Sequence, residues 1–130
     1  EMKDSKAASF YPTDYMIDGY SDANTVVVVA LPGTAKGYTL ESALESWISS
    51  TEDDGLKNYK LVQSGVDNAN GNDVAIYAYS WQDAGYDLNT IDFLMINGDD
   101  LYLITFTGTN ADFNTLYPYV EQMVLSFQIL

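Results

Sequence analysis

Thr25-Val26-Val27-Val28-Val29-Ala30-Leu31 decides the architecture. Side chains alternate between the two faces of a pleated strand, so four consecutive valines followed by alanine and leucine leave neither face polar. β-Branched residues suit that conformation, and a strand that is apolar on both faces needs cover on both. Pro32-Gly33 ends the run, because proline has no N–H to give to a ladder and glycine suits the turn that follows.

Beyond that strand, Thr39 is placed to cap a helix, since its hydroxyl can accept an orphan backbone N–H, and Glu41 complements the positive end of the helix dipole. Leu40, Ala43, Leu44, Trp47 and Ile48 recur at the three-and-four spacing of one apolar stripe. The spacing predicts a helix to about Thr51, closed by Glu52-Asp53-Asp54-Gly55. Acids oppose the dipole at that end, and Gly55 offers the left-handed exit.

Tyr59–Val66 and Asp73–Trp81 read as strands on either side of a longer loop, Asp67 to Asn72. Thr90–Ile96 and Leu101–Thr107 flank a tighter turn, Asn97-Gly98-Asp99-Asp100. Leu101 and Leu103 point one way and Tyr102, Ile104 and Phe106 the other, so one helix cannot cover this sheet. A second cover is predicted from Phe113, Leu116, Tyr117, Val120, Val124 and Phe127, with Asn110 and Asp112 as capping and first-turn residues. Pro118 lies inside that pattern and predicts a short first turn followed by a main helix from about Pro118. Phe127 to Leu130 reads as a closing strand.

Upstream, Phe10 to Tyr15 suggests a short strand broken by Pro12, Gly19 to Asn24 supplies a turn, and residues 1–9 read as a flexible tether. The expectation is a single α+β domain over residues 10–130, an antiparallel β-sheet flanked by helices on both faces.

The chain has 130 residues, and its 47% hydrophobic and 14% aromatic content places it among folded domains. Nineteen acids stand against five lysines, for a net charge of −14, and there is no cysteine, histidine or arginine. Residues 61–130 carry nine acids and no base. Such a surface repels a phosphate backbone, which excludes nucleic acid as a main partner, and it disfavours anionic headgroups. The acid excess itself serves solubility. The longest apolar run, Val26 to Leu31, is strand-sized and far short of the roughly 20 residues of a membrane-spanning helix. A start at Glu1 suggests a leader removed upstream and hence an extracytoplasmic domain.

The missing residue types exclude His or Cys metal sites, Ser-His-Asp triads and Cys-His pairs. No lysine follows a serine at the Ser-x-x-Lys spacing. Gly33-Thr34-Ala35-Lys36-Gly37 lacks the P-loop spacing and reads as a strand-to-helix connection. Aligning Gly71 with the glycine of an EF-type loop puts Val66 at the first ligand position and Tyr77 where the closing glutamate belongs, so no calcium site forms. Neither a cofactor nor a metal is implied. Paired carboxylates are the one catalytic device left, with Asp73 and Asp92 at predicted strand starts and Asp53, Asp54, Asp99 and Asp100 in turns. Tyr77, Tyr79 and Trp81 alternate on one face of a strand beside Ala75. That row could form a platform for a sugar or a peptide, or it could pack under a helix, as a two-faced apolar sheet requires of its large side chains.

Leu101-Tyr102-Leu103-Ile104-Thr105-Phe106-Thr107, then Asp112-Phe113, then Val120-Glu121-Gln122-Met123-Val124-Leu125-Ser126-Phe127 resembles the closing strand, helix start and Ser-Phe exit of the PsbP-like family. Phe10-Tyr11-Pro12 resembles its opening strand, so the likeness spans about residues 10–130, although the short segment before Thr25 leaves little room for the family's opening hairpin. The resemblance implies an α/β/α sandwich, and it supplies no shared catalytic residues. Bacterial members are often small secreted lipoproteins, and the fold also serves as a protein-binding module, including a regulator of the small GTPase Ran. The expected function is therefore that of a non-enzymatic exported or cell-surface domain, with a lipid anchor upstream, that binds a cationic or neutral protein or small ligand. The alternative is a small carbohydrate-binding or carboxylate-dependent hydrolytic domain.

Overall fold

The computed structural model describes residues 6–10, 25–69, 72–83 and 85–126. The chain runs through β1 (Lys6–Phe10), β2 (Thr25–Leu31), α1 (Leu40–Asp53), β3 (Lys57–Ala69), β4 (Asn72–Asp83), β5 (Tyr86–Asn97), β6 (Asp100–Thr109) and α2 (Phe113–Ser126). The strands form one antiparallel sheet in the order β1-β2-β6-β5-β4-β3, and the fold is α+β. Among the described residues, no helix is long and apolar enough to cross a membrane.

The valine strand occupies the predicted Thr25–Leu31 and lies between β1 and β6, with Thr25 opposite Thr107 and Leu31 opposite Leu101. Its alternation divides it between two apolar clusters. Val26 and Val28 pack on a cluster that joins Leu116, Val120 and Val124 of α2 to Val74, Ile91, Phe93, Met95, Ile104 and Phe106. Val29 and Leu31 pack on another, which joins Leu44 of α1 to Ala75, Tyr77, Tyr79, Leu94, Leu101 and Leu103. Neighbours along β5 and β6, such as Phe93 and Leu94 or Leu103 and Ile104, fall into different clusters, as the two-residue period of a strand requires.

Helix α1 begins where its cap does. The Thr39 hydroxyl accepts from the Ser42 N–H and the Ser42 hydroxyl from the Thr39 N–H, a reciprocal capping box. Gly55, at φ +69°, takes the chain out after Asp54. The segment from Gly33 to Gly37 is the strand-to-helix connection, strapped to the β5–β6 turn by Gly33 N–H to Asp100 Oδ1 (2.8 Å) and Ala35 N–H to the Asp99 carbonyl (2.9 Å). That turn follows the Asn97–Asp100 pair, with Gly98 at φ +61°.

Four expectations change. Residues 6–9 are not tether: they belong to β1, and Lys6 to Phe10 pair with Ala30 to Val26. Main-chain pairing along the free edge of β2 forms that strand, and side-chain composition does not reveal it. The β3–β4 ladder continues to Ala69 opposite Asn72, so the longer loop expected from Asp67 to Asn72 is mostly strand. The β4–β5 ladder also runs past the predicted strand ends at Trp81 and Thr90, with Gln82 opposite Asp87 and Asp83 opposite Tyr86. Finally, α2 runs unbroken through Pro118, because Leu116, Val120 and Val124 on either side of the proline bury one continuous stripe. The expected Phe127–Leu130 strand, the Gly19–Asn24 turn, the Phe10–Tyr15 strand beyond Phe10 and residues 1–5 of the tether lie outside the described residues.

Candidate functional site

The site is built on the side of the sheet that packs with α1. Asp92 stands in the middle of β5, between Tyr77 of β4 and Thr105 of β6, and is 2% exposed. The Trp47 indole N–H, from α1, donates to Asp92 Oδ2 at 2.8 Å, and the Thr105 hydroxyl donates to Oδ1 at 2.7 Å. Burial disfavours the ionised carboxylate and pushes its pKa up to about 6, and these two hydrogen bonds oppose the shift.

Two residues along, Thr90 continues the polar strip. Its hydroxyl is hydrogen-bonded to the Thr107 hydroxyl at 2.9 Å and accepts from the Trp81 indole N–H at 2.9 Å. Beside the strip lies a tyrosine cluster. The Tyr59 and Tyr77 hydroxyls are 2.7 Å apart, and the Tyr79 ring centroid lies 4.7 Å from that of Tyr77 and 5.6 Å from that of Tyr59. Desolvation raises the pKa of Tyr77 and of Tyr79; the Tyr59 hydrogen bond adds to the first and the Asp92 charge to the second. All of these phenols are neutral hydrogen-bonding groups near pH 7.

The predicted row is therefore brought together, but as a wall under α1. Tyr77 is 0% exposed, Tyr79 8% and Trp81 half-buried, so the row does not present an open platform. α1 needs large side chains beneath it, and Tyr77 and Tyr79 pack in the cluster that holds Leu44. The predicted carboxylates stay apart in role. Asp53, Asp54, Asp73 and Asp99 are exposed, Asp100 straps Gly33, and Asp92 is sealed away from solvent. Among the described residues, no group of three or more acidic side chains could hold a metal ion.

Sequence reading missed the roles of Trp47, Thr90, Thr105 and Thr107. The available signal was a lone charge inside Thr90-Ile91-Asp92-Phe93-Leu94, since a charge in a buried strand requires donors nearby. Trp47 also lines a cavity of about 130 Å³ between α1 and the β2–α1 connection. Leu31, Ala35, Ala43 and Leu101 line it together with Thr34, Tyr38, Ser46 and Ser50; its surface is mostly apolar, and no charged residue takes part. Asp92 thus fixes, through the indole nitrogen, a residue of the cavity wall.

No protein-family model matches the chain, and no curated protein matches it by sequence. Solved structures share its fold, among them the following two. A Pseudomonas aeruginosa protein of unknown function, PA94, is 18% identical with a TM-score of 0.72, over 98% of this chain and 85% of its own. The cyanobacterial PsbP (CyanoP) of Synechocystis sp. PCC 6803 is 9% identical with a TM-score of 0.66, over 95% of this chain and 82% of its own. At those identities the likeness is one of fold, and it agrees with the PsbP-like architecture that the closing strand and helix resemble.

Proposed function

We propose that this chain is a non-enzymatic binding domain of PsbP-like α/β/α type, exported or held at the cell surface as a lipoprotein. α1 covers one face of the sheet and α2 the other. The division of β5 and β6 side chains between an α1 cluster and an α2 cluster supports that layering. Export rests on the PsbP-like resemblance, whose bacterial members are often small secreted lipoproteins, and on the fold shared with the cyanobacterial PsbP.

The observation that carries the binding reading is the cavity wall at Trp47, held in place by a buried carboxylate. Its lining is uncharged and mostly apolar, with Thr34, Ser46 and Ser50 among its residues. A small neutral group that packs against an indole edge or face fits it, and a cavity well below the roughly 300–1,000 Å³ of drug-sized sites takes one ring or one side chain. This favours the carbohydrate-binding form of the alternative over the hydrolytic one. Hydrolysis needs two acids flanking a bond, and Asp92 cannot reach a substrate with both oxygens engaged and 2% of its surface exposed.

Amide shift mapping with a panel of neutral saccharides and short peptides tests the reading, with a glycosidase screen beside it. Binding should move Tyr38, Ser46 and Trp47 first. Reproducible hydrolysis that disappears in Asp92→Asn would overturn the non-enzymatic role, and a panel that leaves the cavity residues unmoved would remove the cavity as its seat. Recovery of the mature chain from the cytosol of its native cell would overturn export.

A further inference from the structure

β3 ends the sheet. Among the described residues it pairs with β4 alone, which leaves the outer N–H and C=O groups of Lys57–Ala69 without a ladder. An edge of this kind is a template for another strand, which proteins blunt with proline, short length, lysines or bulges; β3 carries two lysines and two irregular steps, so a partner strand has to match both. β3 has no proline and runs for 13 residues. Its middle is open and apolar, with Leu61 45%, Val62 63% and Val66 40% exposed.

The charges on β3 are ordered along it. Lys57 and Lys60 stand at its start and Asp67 near its end. Residues directly opposite in an antiparallel ladder share a face. Lys57, Lys60 and Asp67 oppose Gln82, Ser80 and Val74, which are even-spaced along β4, so all three charges stand on one face. Leu61 and Val66 oppose Tyr79 and Ala75 and stand on the other. The irregular step between Leu61 and Gln63 produces this order, because in an unbroken strand Lys60 and Asp67 would lie on opposite faces.

We propose that β3 pairs antiparallel with β3 of a second copy of this chain, across a two-fold axis normal to the sheet. Such an axis reverses strand direction and keeps each face on its own side, so the basic start of one copy meets the acidic end of the other, twice. The register that sets Lys60 opposite Asp67 also sets Leu61 opposite Val66, and the members of each pair share a face. β3 also departs from the acidity of the chain, whose net charge is −14, since it carries two lysines against one aspartate. Neither lysine has an ion-pair partner among the described residues. A basic peptide would meet the lysines and an acidic one Asp67, whereas a second copy complements both ends.

Sedimentation velocity of the whole chain over a concentration series, from micromolar to near millimolar, tests this. A monomer–dimer equilibrium is expected, with amide exchange in Lys57–Ala69 slowing as concentration rises. Lys57→Glu with Lys60→Glu makes the strand wholly acidic, Asp67→Lys makes it wholly basic, and each should weaken association roughly tenfold or more. Combining all three substitutions reverses the strand's polarity and should restore association to near the original strength. Circular dichroism confirms that each variant folds, and the exchange measurement on the unaltered chain stands without any variant. A monomer at every concentration overturns the proposal, as does a dimer indifferent to these charges or a triple variant that stays as weak as its parents.

Discussion

The Trp47 indole nitrogen donates to Asp92 Oδ2 across 2.8 Å, tying the middle of α1 to the centre of β5. Together with Thr105 Oγ1, it lets a carboxylate persist in the sheet beneath a helix, where desolvation favours the neutral form.

Trp47→Phe keeps a ring over the sheet and removes the donor. A hydrogen bond to a buried charged group is worth about 1.5–3 kcal/mol, and the variant should lose stability of that order by urea unfolding. It should also move the Asp92 titration, followed by carboxyl carbon shifts, further upward, because the lost bond favoured the ionised form. A titration that stays in place would show that the indole does not stabilise the carboxylate.

Asp92 also gives stability a pH dependence of definite sign. Unfolded, its carboxyl ionises near the usual value, and folded it ionises at about 6. Between about pH 4 and about pH 6 the folded chain keeps a proton that the unfolded chain has released, so this contribution is full below that window and is lost as pH rises through it. The span is worth about 3 kcal/mol. Asp92→Asn has no proton to release, so the stability difference should shift in the variant's favour by up to that amount across the window. Urea midpoints measured at a series of pH values decide it, and a difference constant with pH would rule out the linkage.

Leu94 is fully buried in the cluster under α1, whereas Val62 stands out from the edge strand. Leu94→Ala leaves a cavity among side chains that cannot close it and should cost about 2–5 kcal/mol. Val62→Ala, compared at a concentration where the chain is monomeric, should change stability by no more than about 0.5 kcal/mol. Equal effects in thermal or denaturant unfolding would mean that the sheet packs differently from the arrangement described here.

Pro118 is an exposed residue inside α2, with buried Leu116 and Val120 on either side. It withholds one N–H from the helix and crowds the carbonyl four residues back. Pro118→Ala restores the bond without removing a packed side chain and should raise stability by up to about 3 kcal/mol in thermal unfolding. A loss of stability would indicate that α2 depends on the proline for its direction.

Where the determinant was local, the sequence was a sufficient guide. The valine run marked β2 to the residue, Thr39 marked the start of α1, and Asn97 to Asp100 marked a hairpin. β1 and the extended ends of β4 and β5 escaped, because main-chain hydrogen bonds hold them and their side chains lack a strong pattern. The continuity of α2 escaped because burial along one stripe outweighed the local penalty of Pro118.

The candidate site divides along the same line. Alternation by itself determined that Tyr77, Tyr79 and Trp81 share one face of a strand, and that the sheet has two apolar faces, because side-chain direction follows from backbone geometry. Only the tertiary structure decided that α1 packs over that row, that Trp47 reaches Asp92 from 45 positions away, and that Lys60 and Asp67 stand on one face of an open edge. Those outcomes depend on long-range packing and on an irregular step in a ladder, where the deciding free energy comes from contacts between segments distant in the chain.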